Sequence, residues 1–540
     1  MSEKEYIVSL QRNVDYDQFW NEIENLSDQD SFVPARRVEI VDNRDGSLRS
    51  CHYALTDQEA DLLRNDPRVY SVEIPPDQRT DIEIRLRSRQ SSDFTKTTAS
   101  TGNAVNYGLL RHQRKNNVYG TGTTASGSYD YTLDGTGVDV VVQDSGIHWD
   151  HPEFTDSNGI SRVYQIDWYA ASGLVGTQSA NFYRDFDGHG THVAGIAAGK
   201  TYGWAKNSRI YSVKVSGLEG SGDLGTGLSI SVCFDVIKLW HRNKPVDPIT
   251  GYKRPTVVNM SWGYESAFRN ITGGVYRGTP WTGTARRTDY GMIGNLFGGL
   301  YYHGVRVNSV DVDIQEMIDE GIHIVTAAGN DYQKVDVLGG VDYNNSYTSS
   351  TSGTVYYHRG SSPWDDQAIV TGSVDRIIYS STTEQKASYS SSGPGVDIYA
   401  CGTNIISSCS NTNALSGVTY FANSNFKQVN ISGTSMAAPQ IAGMAACYLQ
   451  INPNISPGNL KQWFINSSTN LIVTTGLNND YTNSRSLHGG NQRMVYFPFN
   501  QASSGSVSSV AISGVSMSNL NLGVFENFAE ADPPAPTPYT

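Results

Sequence analysis

The chain predicts an α/β fold with a largely parallel central sheet, preceded by a small α+β unit. Near-continuous apolar runs recur in "GVDVVVQDSG", "RIYSVKV", "TVVNMSW", "HIVTAAGN" and "QAIVTGSV", as strands buried on both faces require. Between them lie the helical stretches "THVAGIAAG", "TGLSISVCFDVIKLW", "VDVDIQEMIDEG" and "SMAAPQIAGMAACYLQ". The third observation concerns residues 5–74, which read as β-α-β-β-α-β, the order of a ferredoxin-like unit.

In that first unit "EYIVSL" alternates as a strand should. "DYDQFWNEIENL" puts Phe19, Ile23 and Leu26 at helical spacing behind an acidic start. "ARRVEIV" and "LRSCHYAL" flank the turn "DNRDGS". "TDQEADLLRNDP" opens with Thr56 and has Glu59 three positions on, a capping box, and "RVYSVEI" is the last strand. Residues 76–104 carry Pro, Ser, Thr and alternating charge, and read as a linker. The large unit covers 105–500. Within it, 264–308 and 331–362 are rich in Gly, Tyr, Ser and Thr and are expected to be long functional or mobile loops. Residues 501–540 form a C-terminal extension with a Pro-rich end expected to be disordered.

A length of 540 residues calls for more than one folded unit. The net charge of −13 argues against a nucleic-acid partner, because phosphate binding needs clustered Lys and Arg. No apolar run reaches the roughly 18 residues of a membrane helix, and "MSEKEYIVSL" has no signal-peptide core, so neither a membrane partner nor an ordinary export signal is expected. Localisation stays open beyond that. The five cysteines, Cys51, Cys233, Cys401, Cys409 and Cys447, show no metal-type pairing and are expected as free thiols; pairing of Cys401 with Cys409 is the alternative.

Sites in open α/β sheets form at the carboxyl ends of the strands. Asp144 follows "VDVVVQ", His189 lies in "DFDGHGTHVAG" at a helix entry, Asn330 closes "IVTAAGN", and Ser435 opens a helix in "SGTSMAAP". Each alone has a plain structural reading: a cap for Asp144, a structural or ligand histidine, a turn residue for Asn330, and a helix N-cap for Ser435. Together, Asp, His and Ser are the parts of a nucleophilic relay, and Asn is an oxyanion donor.

That joint pattern resembles the subtilisin-like serine proteases, the subtilases of peptidase family S8. "VVQDSGI", "HGTHVAG" and "GTSMAAP" carry the resemblance in the family's order Asp, His, Ser, with "NMSWG" and "AAGN" beside them. The uninterrupted run "GKTYGWAKNSRIYSVKV", with "NYGLLRH" and "DHPEF", is similar to the proteinase K branch. The resemblance implies a three-layer subtilisin-like fold and a serine endopeptidase acting on protein or peptide substrates through Asp144, His189 and Ser435, with Asn330 in the oxyanion hole. No cofactor is required for that chemistry. His192 is the rival base, and the resemblance assigns it a structural role.

Further roles come from the same resemblance. Ser261, Trp262 and Gly263, with Ala327, Ala328 and Gly329, would line the pocket for the residue before the scissile bond. Gly220, Ser221 and Gly222 would pair with an extended substrate. None of these segments carries a carboxylate, which favours an apolar or aromatic residue there. Trp262 has a core aromatic as its alternative reading. Asp397 would be a structural calcium ligand, with a surface carboxylate as the alternative. Glu153 stands where subtilisin has a calcium aspartate, without that site's partner loop. Residues 1–75 resemble the subtilase propeptide, which would act as an intramolecular inhibitor and be cut off within 76–104. Two other classes compete. One is a structural or assembly protein keeping the fold as a binding module. The other is a metalloenzyme using His189, His192 and Asp144, which H-G-T-H spacing disfavours.

Overall fold

The structure is a computed structural model. It describes residues 3–24, 38–86, 106–119, 129, 131–164, 166–178, 182, 184–215, 228–248, 251–283, 287–297, 299–377, 383–412, 415–470, 472–473, 481 and 483–499. Leu26, residues 87–104 of the linker, Gly220, Ser221, Gly222 and the 501–540 extension lie outside them.

The N-terminal unit runs β1 (Lys4–Leu10), α1 (Tyr16–Glu24), β2 (Glu39–Asp42), β3 (Ser50–Leu55), α2 (Asp57–Arg64) and β4 (Val69–Glu73), and its antiparallel sheet has the order β2-β3-β1-β4. Val8, Leu10, Phe19, Ile23, Tyr53, Leu55, Leu63 and Val72 form its core. The capping box is made: Glu59 N–H donates to Thr56 Oγ1 at 3.3 Å, and Thr56 N–H donates to Glu59 Oε2 at 2.7 Å.

Next come β5 (Glu83–Leu86), α3 (Tyr107–Arg111), β6 (Asp139–Asp144), β7 (Val163–Tyr164), α4 (Trp168–Ser172), α5 (His189–Ala198), β8 (Arg209–Lys214), α6 (Ile230–Asn243), β9 (Thr256–Met260) and β10 (Trp262–Ala267). Then follow β11 (Ile271–Tyr276), β12 (Thr279–Thr282), β13 (Asn295–Phe297), β14 (Leu300–Gly304), α7 (Asn308–Asp319), β15 (His323–Ala327), β16 (Ser346–Ser349), β17 (Gly353–Tyr356), β18 (Ile369–Val374) and β19 (Glu384–Gln385). The remainder is β20 (Ile398–Cys401), β21 (Ile405–Cys409), β22 (Val418–Tyr420), β23 (Asn423–Ile431), α8 (Thr434–Leu449), α9 (Pro457–Ser467), β24 (Thr469–Asn470), β25 (Ile472–Val473) and β26 (Arg493–Met494).

The central sheet has the order β24-β26-β20-β18-β15-β9-β6-β8-β7 and is parallel except at β24. The apolar runs alternate between its faces. Val140 and Val142 of β6 join α5 and α8 in one core, while Val141 joins α6 and α7 in the other. This three-layer α/β arrangement is the one expected. The small residues of α8 are explained by depth. A Cβ on Gly443 would meet Ala197 O at 2.4 Å and Trp204 Cβ at 2.7 Å, so α8 and α5 close up only over glycine.

Two expectations change. Residues 83–86 of the expected linker are strand β5, paired antiparallel to β10. The run Ile82, Ile84, Leu86 has the period of a strand, which the alternating charges obscure. The two long loops are also built structure. Their strands form the sheets β13-β14-β10-β5 and β12-β11-β16-β17. Phe268, Met292, Tyr347 and Tyr357 make a separate core between them. Beside it, buried Asp342 accepts from Arg277 (2.7 Å), Lys334 (2.7 Å) and Tyr481 (2.8 Å).

The N-terminal unit docks on α6 and α7. The β2–β3 turn pushes Arg44 between these helices, where it donates to Asp235 (3.0 and 2.7 Å) and Asp313 (2.6 Å). Lys238 joins the same group, reaching Asp235 (3.0 Å), Asp313 (3.1 Å) and Glu316 (2.6 Å). A Cβ on Gly46 would stand 2.5 Å from Asp235 Cβ, so the turn approaches α6 only with glycine there. Glu73 accepts from Ser309 N–H at 3.0 Å and Asp77 from Ile230 N–H at 3.2 Å, placing carboxylates on the amino ends of α7 and α6.

Candidate active site

Four predicted residues converge at the carboxyl edge of the sheet. Asp144 ends β6, His189 opens α5, Asn330 follows β15, and Ser435 is the second residue of α8. His189 Nδ1 donates to Asp144 Oδ1 at 2.7 Å, both side chains being fully buried. Ser145 N–H donates to the same oxygen at 2.8 Å. Asp144 Oδ2 and His189 Nε2 are buried with no hydrogen-bond partner among the described residues. Burial by itself lowers the basicity of the His189 ring, but Asp144, followed by Asp187 and Asp185, outweighs it, and the net displacement is upward.

Asp185 was not singled out from the sequence. Its Oδ1 accepts from Ser145 Oγ (2.8 Å) and Gly188 N–H (2.7 Å), and its Oδ2 from Thr191 N–H (2.8 Å) and Thr191 Oγ1 (2.5 Å). It therefore ties the Asp144 turn to the start of α5. Asp187 accepts from His189 N–H at 3.1 Å. Burial pushes its carboxyl up to about 6, with His189 opposing. The signal for both was present, two aspartates directly before the glycine-flanked histidine. His192 faces away from this group. Its Nε2 is shared between the carbonyls of Ile405 (3.0 Å) and Val429 (3.1 Å), and burial lowers it to about 3.

Ser435 is not the helix cap. Gly433 holds that position in extended backbone, so Ser435 lies inside the first turn. Its Oγ donates to Ser261 O at 2.8 Å, while Ser261 Oγ donates back to Ser435 O at 3.0 Å. Pro439 accounts for the second bond. A helical carbonyl normally receives an N–H from four residues on, and proline has none, so Ser435 O is open to Ser261. Asn259 Nδ2 holds Ser261 Oγ at 2.8 Å. The Ser435 hydroxyl thus rests on Ser261.

Asn330 Oδ1 accepts from Thr434 N–H (2.9 Å) and Thr434 Oγ1 (3.0 Å), which turns its amide NH₂ away from Thr434. Gly329 N–H donates to Thr434 Oγ1 at 3.2 Å. Ala327 and Ala328 are buried at the end of β15, and Ala328 N–H bonds Thr371 O. Trp262 and Gly263 belong to β10, whose backbone pairs with β5 in the register Trp262↔Leu86, Gly263↔Arg85, Tyr264↔Ile84 and Glu265↔Glu83. The pocket expectation for the Trp262 side chain is corrected: it is fully buried in the α6/α7 core between Phe234 and Tyr264. Large aromatic area is better hidden there than along a groove.

The calcium expectation for Asp397 does not fit the residues present. Its Oδ2 accepts from Val370 N–H at 2.8 Å, and its Oδ1 lies 2.8 Å from the Lys461 ammonium, so a side-chain cation already stands on it. Glu153 is likewise committed, to Thr201 N–H (2.8 Å), Tyr202 N–H (3.2 Å) and Tyr420 OH (2.7 Å). All five cysteines are buried and in no disulfide, Cys401 and Cys409 included. Among the described residues no helix is long and apolar enough to cross a membrane.

Comparison with known proteins identifies the family. The subtilase family model matches residues 135–484. An extracellular serine proteinase of Thermus sp. strain Rt41A is 26% identical over 79% of this chain and 72% of its own length. Subtilisin-like protease 5 of Arthroderma benhamiae is 30% identical over 62% of this chain and 58% of its own. A cuticle-degrading serine protease of Arthrobotrys oligospora is 27% identical over 59% and 54%. The chain thus spans little more than half the length of the two fungal proteins. A crystal structure of a cold-adapted subtilisin-like serine proteinase, 24% identical, aligns over 73% of this chain and 98% of its own with a TM-score of 0.44. The chain belongs to the subtilase family of serine endopeptidases.

Proposed function

We propose that Ser435 is the nucleophile of a peptide-bond hydrolase made as a self-inhibited precursor. The observation that carries this is the buried His189–Asp144 pair at 2.7 Å with His189 Nε2 left open at the edge shared by Ser435 and Asn330. Asp144 holds the proton on Nδ1, so Nε2 is the basic nitrogen. Ser435 Oγ, rotated off Ser261, gives its proton to Nε2 and attacks the carbonyl carbon. The Asn330 NH₂ and the Ser435 N–H, at the positive end of α8, hold the oxyanion. The imidazolium then protonates the leaving amine, and water repeats the sequence on the acyl-enzyme. The absence of a carboxylate in Ser261–Gly263 and Ala327–Gly329 supports an apolar or aromatic residue before the cut bond.

The N-terminal unit is proposed as the inhibitor and folding aid. Support comes from β5, which lies along β10 as an extended substrate would, and from Ser266 Oγ bonding Asp81 O at 2.9 Å. Leu86 stands opposite Trp262, the neighbour of the Ser261 that holds Ser435, so the register supports a cut C-terminal to Leu86. Intact mass and N-terminal sequencing of wild type and Ser435→Ala test this. Wild type is expected to lose a fragment ending between 87 and 104, with Ser435→Ala full length. Equal trimming of both would refute self-processing.

A further inference from the structure

A second polar cluster stands at the amino edge of the sheet, opposite to Ser435. Strands β18 and β20 are parallel neighbours in the register Thr371↔Ile398. The residues just ahead of them are therefore brought together: Asp366 and Ala368 before β18, and Asp397 before β20. Lys461, from α9, reaches all three. Its Nζ donates to Asp397 Oδ1 (2.8 Å), Asp366 O (2.8 Å) and Ala368 O (2.9 Å). An ammonium has three N–H donors, and each has an oxygen here. One carboxylate and two peptide carbonyls around one point are also hard oxygen donors of the kind a calcium shell uses, with water completing it.

We propose that this cradle is a divalent-cation site whose cation has been replaced by the chain's own Lys461 ammonium. The substitution makes the contact intramolecular, so it forms on folding and does not depend on metal in solution. It also joins α9 to the starts of two central strands, the mechanical role a bound ion would otherwise take. Lys461 and Asp397 side chains keep 16% and 13% of their exposure, so water and a small cation can reach the cradle once the lysine is shortened.

Five full-length proteins in a Ser435→Ala background, which prevents self-digestion, test the proposal: the parent, Asp397→Asn, Lys461→Ala, Lys461→Met and Lys461→Ala with Asp397→Asn. Thermal unfolding is read in chelator and in millimolar calcium, and terbium luminescence reports binding directly. The parent is expected to show no calcium shift assignable to Asp397. Lys461→Ala should unfold lower in chelator, recover with calcium along a saturable curve, and gain a terbium signal. Lys461→Met, which fills the cradle without charge, and the double variant should show neither gain. A calcium shift in the parent that Asp397→Asn removes would overturn the proposal. So would a folded Lys461→Ala protein that binds no terbium or calcium beyond the parent.

Discussion

The two edges of the central sheet are built from the same strands and end in opposite chemistry. At the carboxyl edge, polar atoms are buried and left open: His189 Nε2 and Asp144 Oδ2 have no partner among the described residues. At the amino edge, Asp397 and two carbonyls are closed by Lys461. A buried polar atom without a partner costs about 1–3 kcal/mol, so the open edge gives up stability that the closed edge keeps. The α6/α7 interface belongs with the closed edge, since Arg44 and Lys238 are shared among Asp235, Asp313 and Glu316.

The largest effect is expected at the open edge. Ser435→Ala should lower kcat on a peptide substrate by on the order of 10⁶, the scale seen when a relay serine is removed. Its unfolding temperature should stay close to wild type, because the hydroxyl makes one bond to Ser261. A loss of stability matching the loss of rate would put Ser435 in the closed class. Asn330→Ala follows, with a fall in kcat of roughly 10²–10³. Because Asn330 Oδ1 also receives both Thr434 donors, Asn330→Asp keeps that anchoring and separates orientation from oxyanion donation.

At the closed interface, breaking a buried ion pair from one side costs about 3–5 kcal/mol. Arg44→Ala should therefore weaken docking of the N-terminal unit by that order and leave the catalytic relay intact. The check is the affinity of a separately expressed 1–86 fragment for the mature enzyme, measured by inhibition. An unchanged inhibition constant would show the interface to be held elsewhere.

The smallest effect concerns pH. As the proposed base, His189 would work only when neutral, and its displacement is upward, so kcat/KM should fall off on the acid side at a pH above that of an ordinary histidine. Asp187 contributes to that displacement. Asp187→Asn should move the acid limb to lower pH. Asp187 itself titrates at about 6, so its support fades as pH falls through that value, and the wild-type limb should be broadened. A limb that Asp187→Asn leaves in place would remove Asp187 from the site.

What was legible in the sequence follows the same division. Asp144, His189, Asn330 and Ser435 each end an apolar strand or open a helix, so short-range pattern locates them. Of the closed cluster only Asp397 was singled out, and the rest was illegible for a physical reason. Two of its three oxygens are main-chain carbonyls, which any residue supplies, and Lys461 lies 64 positions beyond Asp397. Strand β5 was hidden by charges that alternate with its apolar residues. The two inserts were hidden by a Gly- and Tyr-rich composition that reads as loop until Phe268, Tyr347 and Tyr357 are seen to share a core. The alternative reading of Ser435 as a cap rests on the frequency of serine just before a helix. The extended Gly433 and the missing N–H of Pro439 move it into the first turn and leave its carbonyl to Ser261.

The most direct test of the account is covalent. The trimmed protein is treated with a fluorophosphonate, digested and mapped by mass spectrometry. The account predicts a single stoichiometric adduct on Ser435 that is absent from Ser435→Ala and slowed at acid pH as His189 becomes charged. Trimmed, folded protein that takes no adduct at Ser435, or takes it on another serine with peptidase activity lost in step, would contradict it.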